Sequence, residues 1–107
     1  MGYTHYYTLT DSADPDGSLY QRMLSDATML VEHALDLYCL DVEFTNDTYL
    51  KKFIIQGTDD NTCESFVWPP EPSKPFCKTR HLQYDVVVSA CLLAAKEIYK
   101  DSVSVSS

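Results

Sequence analysis

A short basic segment holds the residue types that could do chemistry in this chain. Lys78, Arg80 and His81 follow the thiol of Cys77, in a protein with 16 acidic and 8 basic residues. The segment comes just before the most apolar run of the chain, which predicts a helix that begins at about Asp85. Helix N-termini attract anions, and Arg and Lys bind phosphate and carboxylate. The segment therefore predicts a site for a small anion.

This predicted site has a basic side and an aromatic side. Thr79 adds a hydroxyl to the basic side, and rings from the first strand could stack on the base of a nucleotide-like ligand. Two alternatives stay open: the bases could only pair with the acidic first helix, and the rings could only pack in the core. The predicted ligand-binding residues are Tyr3, His5, Tyr7, Lys78, Thr79, Arg80 and Tyr84.

Cys77 could also be a nucleophile, because the cations of Lys78 and Arg80 favour the thiolate form. A catalytic thiol needs a base nearby, and His5 or His81 could supply one. A buried structural cysteine is the more frequent case, and it is the interpretation favoured here. Cys91 lies inside the predicted apolar helix and Cys39 at the end of the first helix, and both are expected to be core thiols. The spacing of Cys77 and His81 is a weak zinc signal, so we predict neither a metal site nor a cofactor.

The negative charge is concentrated in one part of the chain. Residues 11–47 contain nine acidic side chains and one basic side chain, Arg22, whereas the acids and bases elsewhere balance. Such a surface repels nucleic acid, and it could attract a basic host protein. For that alternative, the predicted partner-binding residues are Asp26, Glu32 and Asp36. A solvated helix face that only keeps the protein soluble is the competing interpretation.

Length and composition predict one domain, residues 1–107. The chain has no apolar run of the roughly 18–20 residues that a membrane span needs, so no membrane association is expected. The first residues have neither the basic nor the apolar region of a secretory signal. We therefore expect a cytoplasmic protein, with the four cysteines reduced.

The order of predicted elements favours an α+β fold. Residues 3–9 alternate like a strand, and Ser18 with Gln21 resembles a capping box at the start of an amphipathic helix that ends near Leu40. One or two strands are expected within 41–57 and another at 63–68, followed by a proline-rich loop. A helix over about 85–100, capped by Asp85, and a strand at 102–107 complete a β-α-β-β-α-β order. That order predicts a ferredoxin-like sandwich, with two helices on one face of an antiparallel sheet. The other face of the sheet would be covered by a ligand or by a second chain, which allows a homodimer.

Several short motifs together resemble a family of small proteins encoded by bacteriophages and bacterial genomes. They are Gly2-Tyr3-Thr4-His5-Tyr6, Phe76-Cys77-Lys78-Thr79-Arg80, Tyr84-Asp85, Val87-Val88, Ala95-Lys96 and Val105-Ser106-Ser107. This chain differs from the family pattern at Tyr7, where tryptophan is usual, and at Gln83, where proline is usual. The resemblance implies an accessory protein of a phage or prophage that acts inside the host cell.

Three functions are compatible with these observations. The first is a binding protein that sequesters a small anionic, nucleotide-derived signal and so counters host defence. The second is an acidic inhibitor, similar to anti-CRISPR proteins, that covers a nucleic-acid-binding host complex. The third is an enzyme that depends on Cys77 and a histidine. We rank it last because the chain has no nucleophile motif and no phosphate-binding loop.

Overall fold

The described part of the chain folds into two helices, one short 3-10 helix and six short strands. A computed structural model describes residues 4–10, 17–58, 64–71, 73–79 and 83–106. The α+β class predicted from the sequence is confirmed. In chain order the elements are β1 (Thr4–Leu9), α1 (Ser18–Tyr38), β2 (Val42–Asp47), β3 (Lys52–Gly57), β4 (Phe66–Trp68), β5 (Phe76–Lys78), α2 (Asp85–Tyr99), a short 3-10 helix (Lys100–Ser102) and β6 (Val103–Ser106).

The strands form two antiparallel sheets of three. In one sheet the order is β5-β1-β6, with His5 opposite Cys77 and Tyr7 opposite Val105. In the other sheet the order is β2-β3-β4. A backbone hydrogen bond of 3.0 Å runs from the N–H of Glu64 to the carbonyl of Lys78, so the chain just before β4 touches the end of β5.

The single sheet of the ferredoxin-like prediction is not confirmed, because the described strands form two sheets. The proline-rich stretch was expected to be a connecting loop, and no strand was predicted at 76–78; there β5 follows the stretch directly and pairs with β1. Strands β4 and β5 have three residues each. β4 lies within the strand predicted at 63–68, whereas β5 is too short to show a period in the sequence and is a strand only because it pairs with β1.

Helix α1 begins at Ser18 as predicted, but its start differs from a capping box. The N-cap is Gly17, which has the left-handed φ of 78° and makes no side-chain cap hydrogen bond. Glycine tolerates this conformation because it has no Cβ. The predicted apolar stripe is buried at Met23, Ala27 and Ala34, whereas Leu37, the last but one residue of the helix, is exposed.

Helix α2 confirms the predicted apolar helix, and its buried side chains include Val88, Cys91 and Leu92. The prediction that Asp85 caps this helix is wrong. Tyr84 occupies the N-cap position, and Asp85 is the first helical residue. Within the described residues, neither helix is long and apolar enough to cross a membrane.

Aromatic rings join the two sheets to the helices. The Tyr7 ring of β1 lies 5.2 Å from the Phe66 ring and is stacked at 6.1 Å on Trp68, both in β4. The Tyr7 hydroxyl donates to the carbonyl of Val67 at 3.0 Å. The Trp68 indole N–H donates to the Tyr99 hydroxyl of α2 at 3.3 Å. The first strand therefore contributes its rings to a shared core.

Candidate functional site

Asp85, at the start of α2, is the centre of a polar cluster. Its Oδ1 atom lies 2.6 Å from His5 Nε2 and accepts a hydrogen bond of 2.5 Å from the Thr79 hydroxyl. The Ser89 hydroxyl lies 3.4 Å from both Asp85 Oδ2 and His5 Nε2. The cluster joins β1, the loop after β5 and α2. A carboxylate in the first turn of a helix is also favoured by the helix dipole.

The geometry of this cluster differs from that of a Ser-His-Asp relay. In such a relay the carboxylate holds one imidazole nitrogen and the serine uses the other. Here both Asp85 and Ser89 approach the same atom, His5 Nε2. His5 is 3% exposed, so the ring is also shielded from solvent. The arrangement is suited to holding the first strand and the helix start together.

Four of the predicted ligand-binding residues are buried. His5, Tyr7, Thr79 and Tyr84 have side chains inside the protein, none more than 3% exposed. The Tyr84 hydroxyl donates to the carbonyl of Glu64 at 2.7 Å, which connects the start of α2 to the chain before β4. In this structure these four side chains therefore belong to the core and the Asp85 cluster rather than to an open pocket.

The structure describes only part of the basic side of the predicted site. Lys78 is exposed, and its backbone N–H donates to Glu64 Oε1 at 2.7 Å. Lys74 forms an ion pair with Glu64 at 3.4 Å, so its partner is not an acid of α1. Tyr3, Arg80 and His81 lie outside the described residues.

The cysteines differ in accessibility. Cys77 is fully buried, as the structural interpretation predicted, and its Sγ donates to the carbonyl of Glu64 at 3.5 Å. Cys91 is buried in α2, and burial, with a smaller effect of nearby Asp26, raises the pKa of its thiol to about 12. Cys39 was expected in the core but is exposed, because it lies just beyond the end of α1. None of these three cysteines forms a disulfide.

A surface pocket lies where the end of α1 approaches the start of α2. We call it the helix-junction pocket; it has a volume of about 430 Å³ and is lined by Tyr38, Leu40, Gln83 and Val86. The Tyr38 ring is 72% exposed, and Val86 is 58% exposed. The pocket thus combines an accessible aromatic ring and aliphatic side chains with one amide.

Sequence analysis missed this pocket, although it located the neighbouring basic segment. Gln83 lies only five residues after Lys78, but Tyr38 comes from the distant end of α1. A tyrosine in the last turn of an amphipathic helix gives a weak signal, because its exposure depends on where the second helix begins. Residues so far apart in the chain meet only through the packing of α1 on α2.

The acidic residues of the alternative partner surface lie on α1. Glu32 and Asp36 are exposed, and Asp26 is half-buried near Cys91. A second depression of about 410 Å³ runs along the same helix, where Leu24, Met29 and Glu32 are among its lining residues. Among the described residues, neither ion pair involves an acid of α1. The charges of Glu32 and Asp36 therefore face solvent.

Comparisons with known proteins found no match among family models, curated proteins or solved structures. Among the described residues, no group of three His, Cys, Asp or Glu side chains is arranged to hold a metal ion. The resemblance to small phage proteins therefore remains a prediction from the sequence.

Proposed function

We propose that this protein binds a small nucleotide-like anion without catalysis, in the helix-junction pocket. The observation that carries the proposal is the pocket of about 430 Å³ with the exposed ring of Tyr38 at its wall. Ligand pockets of proteins are typically about 300–1,000 Å³ and combine apolar walls with a few polar groups. The Tyr38 ring can stack on a base, and the Gln83 amide can bond to its edge.

The basic segment, close in sequence to Gln83, supports an anionic ligand. Gln83 directly follows the basic segment, in which Lys78 is exposed. Asp41, next to Leu40, is exposed and opposes an anion there, whereas the carboxylate of Asp85, next to Val86, interacts with His5 and the Thr79 hydroxyl. Its charge is thus directed into the protein, which reduces repulsion of a phosphate. This assignment moves the aromatic side of the site from the first strand to Tyr38.

Burial of the candidate nucleophile favours binding over catalysis. Cys77 has no exposed surface, and its thiol is bonded to a backbone carbonyl. A reactive cysteine needs a partly exposed position beside a base. We therefore keep the Cys77-dependent enzyme as the less supported alternative.

A thermal-shift experiment tests the proposal. A panel of cyclic and linear nucleotides should include one that raises Tm by several degrees, because ligand at about 100 times Kd adds about 2.7 kcal/mol to stability. Tyr38→Ala and Lys78→Ala should reduce the shift. Tyr49→Ala is the matched control, since Tyr49 is 91% exposed in the turn after β2.

The same experiment has outcomes that would refute the proposed ligand class or the proposed pocket. Absence of any shift across the nucleotides would refute the ligand class. A shift that Tyr38→Ala leaves unchanged would refute the pocket. Arg80→Ala tests the basic segment separately. If the ligand raises Tm of this variant as much as it raises Tm of the wild type, Arg80 does not contact the anion.

The biological setting of this proposal comes from the resemblance to phage proteins. A small protein that captures a signalling nucleotide in the host cytoplasm would counter a defence system that depends on that signal. Expression of the protein in a host with such a system should restore phage growth, and Tyr38→Ala should not. Restoration by Tyr38→Ala would contradict this role.

We also infer a relation to the ferredoxin-like fold. The backbone bond from Glu64 to Lys78 supports one continuous strand order, β6-β1-β5-β4-β3-β2. If β4 and β5 are treated as an inserted pair, the remaining order β6-β1-β3-β2 has the ferredoxin-like pattern. An experimental structure with continuous hydrogen bonding between β4 and β5 would support this relation, and a gap between the sheets would refute it.

The acidic surface of α1 supports a second candidate function, binding of a basic partner. Glu32 is exposed beside the apolar side chains of Leu24 and Met29, and Asp36 is exposed one turn further along α1. A Lys- and Arg-rich amphipathic peptide should bind there, and its affinity should fall steeply with salt. Neutralising Asp26, Glu32 and Asp36 together should abolish this binding, whereas Glu97→Gln on α2 should not. Equal binding by the triple variant would exclude this surface.

A further inference from the structure

Strand β2 lies at the edge of its sheet, and among the described strands it pairs only with β3. An edge strand presents backbone N–H and carbonyl groups to which another strand can bond. The pairing of β2 with β3 is continuous, without a bulge, and β2 contains neither proline nor lysine. In the other sheet, by contrast, the Lys96 ammonium donates to the carbonyl of Val103 in edge strand β6 at 3.0 Å. The edge of β2 is therefore open to a further strand.

The backbone groups on the open edge follow from the contacts of β4. The Tyr7 hydroxyl bonds to both the N–H and the carbonyl of Val67, at 3.3 and 3.0 Å, so these groups point away from β3. In an antiparallel pair, opposite residues alternate between bonding to each other and pointing away from each other. Val67 is opposite Ile54, and Ile54 is opposite Thr45, so the backbone of Thr45 bonds to β3. The N–H and carbonyl groups that face the open edge are those of Val42, Phe44 and Asn46.

Three acidic side chains stand at alternate positions in β2 and directly before it, so they share one face of the strand. We call them the β2 acidic row: Asp41, Glu43 and Asp47. Glu43 accepts from the neutral Gln56 amide at 3.1 Å, and Asp47 accepts from the backbone N–H of Leu50 at 2.9 Å. Lys52 is opposite Asp47 in β3, but neither ion pair among the described residues involves the row. The negative charge of the row is therefore available to a partner.

We propose that β2 binds an extended basic segment of a partner protein, which adds a strand to the edge of the sheet. Side chains of an extended chain alternate between two faces. Lysine or arginine at every second position would therefore lie beside the β2 acidic row, where opposite charges on neighbouring strands attract. The intervening side chains would lie beside Phe44, which is half-buried and stacks at 5.5 Å on Phe53. Apolar residues fit those positions.

The charges of β2 exclude a second copy of the same strand as the occupant. In an antiparallel pair with Phe44 opposite Phe44 of the second copy, Asp41 would lie opposite Asp47 at both ends. A shift by one residue in each strand would place Glu43 opposite Glu43. Like charges directly opposite each other are destabilising. A basic segment is therefore the occupant that both the backbone and the side chains of β2 fit. None of the described residues that line the helix-junction pocket belongs to β2, so this surface does not depend on the nucleotide ligand.

Binding of a synthetic peptide to the full chain, without nucleotide, tests the mode of binding. The probe is a short peptide of alternating lysine and valine, and fluorescence anisotropy should show binding that weakens as salt rises. The valines would face Phe44 and carry the N–H groups that bond to β2. The same peptide with N-methylated valines should therefore bind at least about tenfold more weakly. Absence of binding, or equal binding of the two peptides, would overturn the proposal.

Charge variants test the β2 acidic row. Replacing its three acids together by Asn, Gln and Asn keeps their acceptor oxygens and should lower the affinity for the peptide about tenfold. The matched control makes the same change of charge at exposed acids elsewhere: Glu71→Gln, Glu97→Gln and Asp101→Asn. An equal loss of affinity in both triple variants would overturn the proposal, because net charge alone would then explain binding. Loss only on neutralising the acids of α1 would overturn it as well.

Amide hydrogen exchange followed by NMR locates the added strand in the wild-type chain, so it does not depend on the folding of any variant. In the free protein the amides of Phe44 and Asn46 should exchange faster than the amide of Thr45, which is bonded to β3. The lysine-valine peptide should slow exchange at Phe44 and Asn46 and leave Thr45 almost unchanged. This alternating protection is specific to strand addition. Binding of the peptide without slower exchange at Phe44 and Asn46 would overturn the proposal.

Discussion

Asp85 shows how one side chain can organise distant parts of the chain. Its carboxylate accepts a hydrogen bond from the Thr79 hydroxyl and lies 2.6 Å from His5 Nε2. Asp85 and His5 are 80 residues apart in the sequence. The side chain of Asp85 is 18% exposed and that of His5 is 4% exposed. Buried polar groups are stabilising only when each has its partner. The cluster therefore holds β1 against the start of α2.

We predict that Asp85→Ala lowers the free energy of unfolding by about 2–4 kcal/mol, because it leaves His5 and Thr79 buried without their shared acceptor. Urea unfolding followed by circular dichroism measures the effect. Asp101→Ala is the control, since Asp101 is exposed beyond α2, and it should change stability by less than about 0.5 kcal/mol. A similar loss in both variants would contradict a special role for Asp85.

At the scale of the element, the end of α1 is strained. Cys39 follows the helix with a left-handed φ of 54°, and its backbone N–H donates to the carbonyl of Leu35 at 3.0 Å. The N–H of Leu40 donates to the carbonyl of Ala34 at 3.1 Å. This conformation satisfies carbonyls at the helix end but crowds the Cβ atom of any residue except glycine. The turn also positions Tyr38 and Leu40 at the helix-junction pocket.

Cys39→Gly should stabilise the protein by about 0.5–1 kcal/mol, because glycine adopts the left-handed conformation without steric cost. The exposed thiol makes little packing that could be lost. Equilibrium unfolding in urea measures the gain. Cys39→Ala keeps the Cβ atom and should give no gain, so equal stabilisation by both variants would refute the strain argument.

The whole molecule is held by a core that excludes ionised side chains. Burial raises the pKa of the Cys91 thiol to about 12 and raises the pKa of the Tyr7 hydroxyl well above its ordinary value. Burial also raises the pKa of Tyr20. In the unfolded chain these groups ionise near their ordinary pKa values of 9 for the thiol and 10 for tyrosine. The native state therefore keeps them neutral where the unfolded state does not.

The contribution of these buried groups to the free energy of unfolding should be constant below pH 9. It should fall as the pH rises from 9 towards 12. The sign follows because, in that interval, only the unfolded state releases the protons. Urea unfolding between pH 8 and the alkaline limit of the assay gives the slope. Cys91→Ala should reduce the slope although it lowers stability overall. A wild-type stability that does not change with pH would contradict the prediction.

Local patterns in the sequence were sufficient to predict most elements and the class of the fold. The periodicities of α1 and α2 appear within each segment, because one face of each helix must be apolar. The strand signals of β1 and β6 are local in the same way. The burial of Cys77 and Cys91 also agrees with the structural interpretation of those thiols.

Tertiary structure alone decided how these elements meet. It divided the strands into two sheets, turned His5 and Tyr7 into the interior, and brought Tyr38 next to Val86. It also gave Asp85 partners in the first strand and in the preceding loop, where the sequence had predicted a helix cap. The physical reason is that these contacts join residues far apart in the chain. Local periodicity predicts which face of an element is apolar, whereas the packing of several elements determines what that face touches.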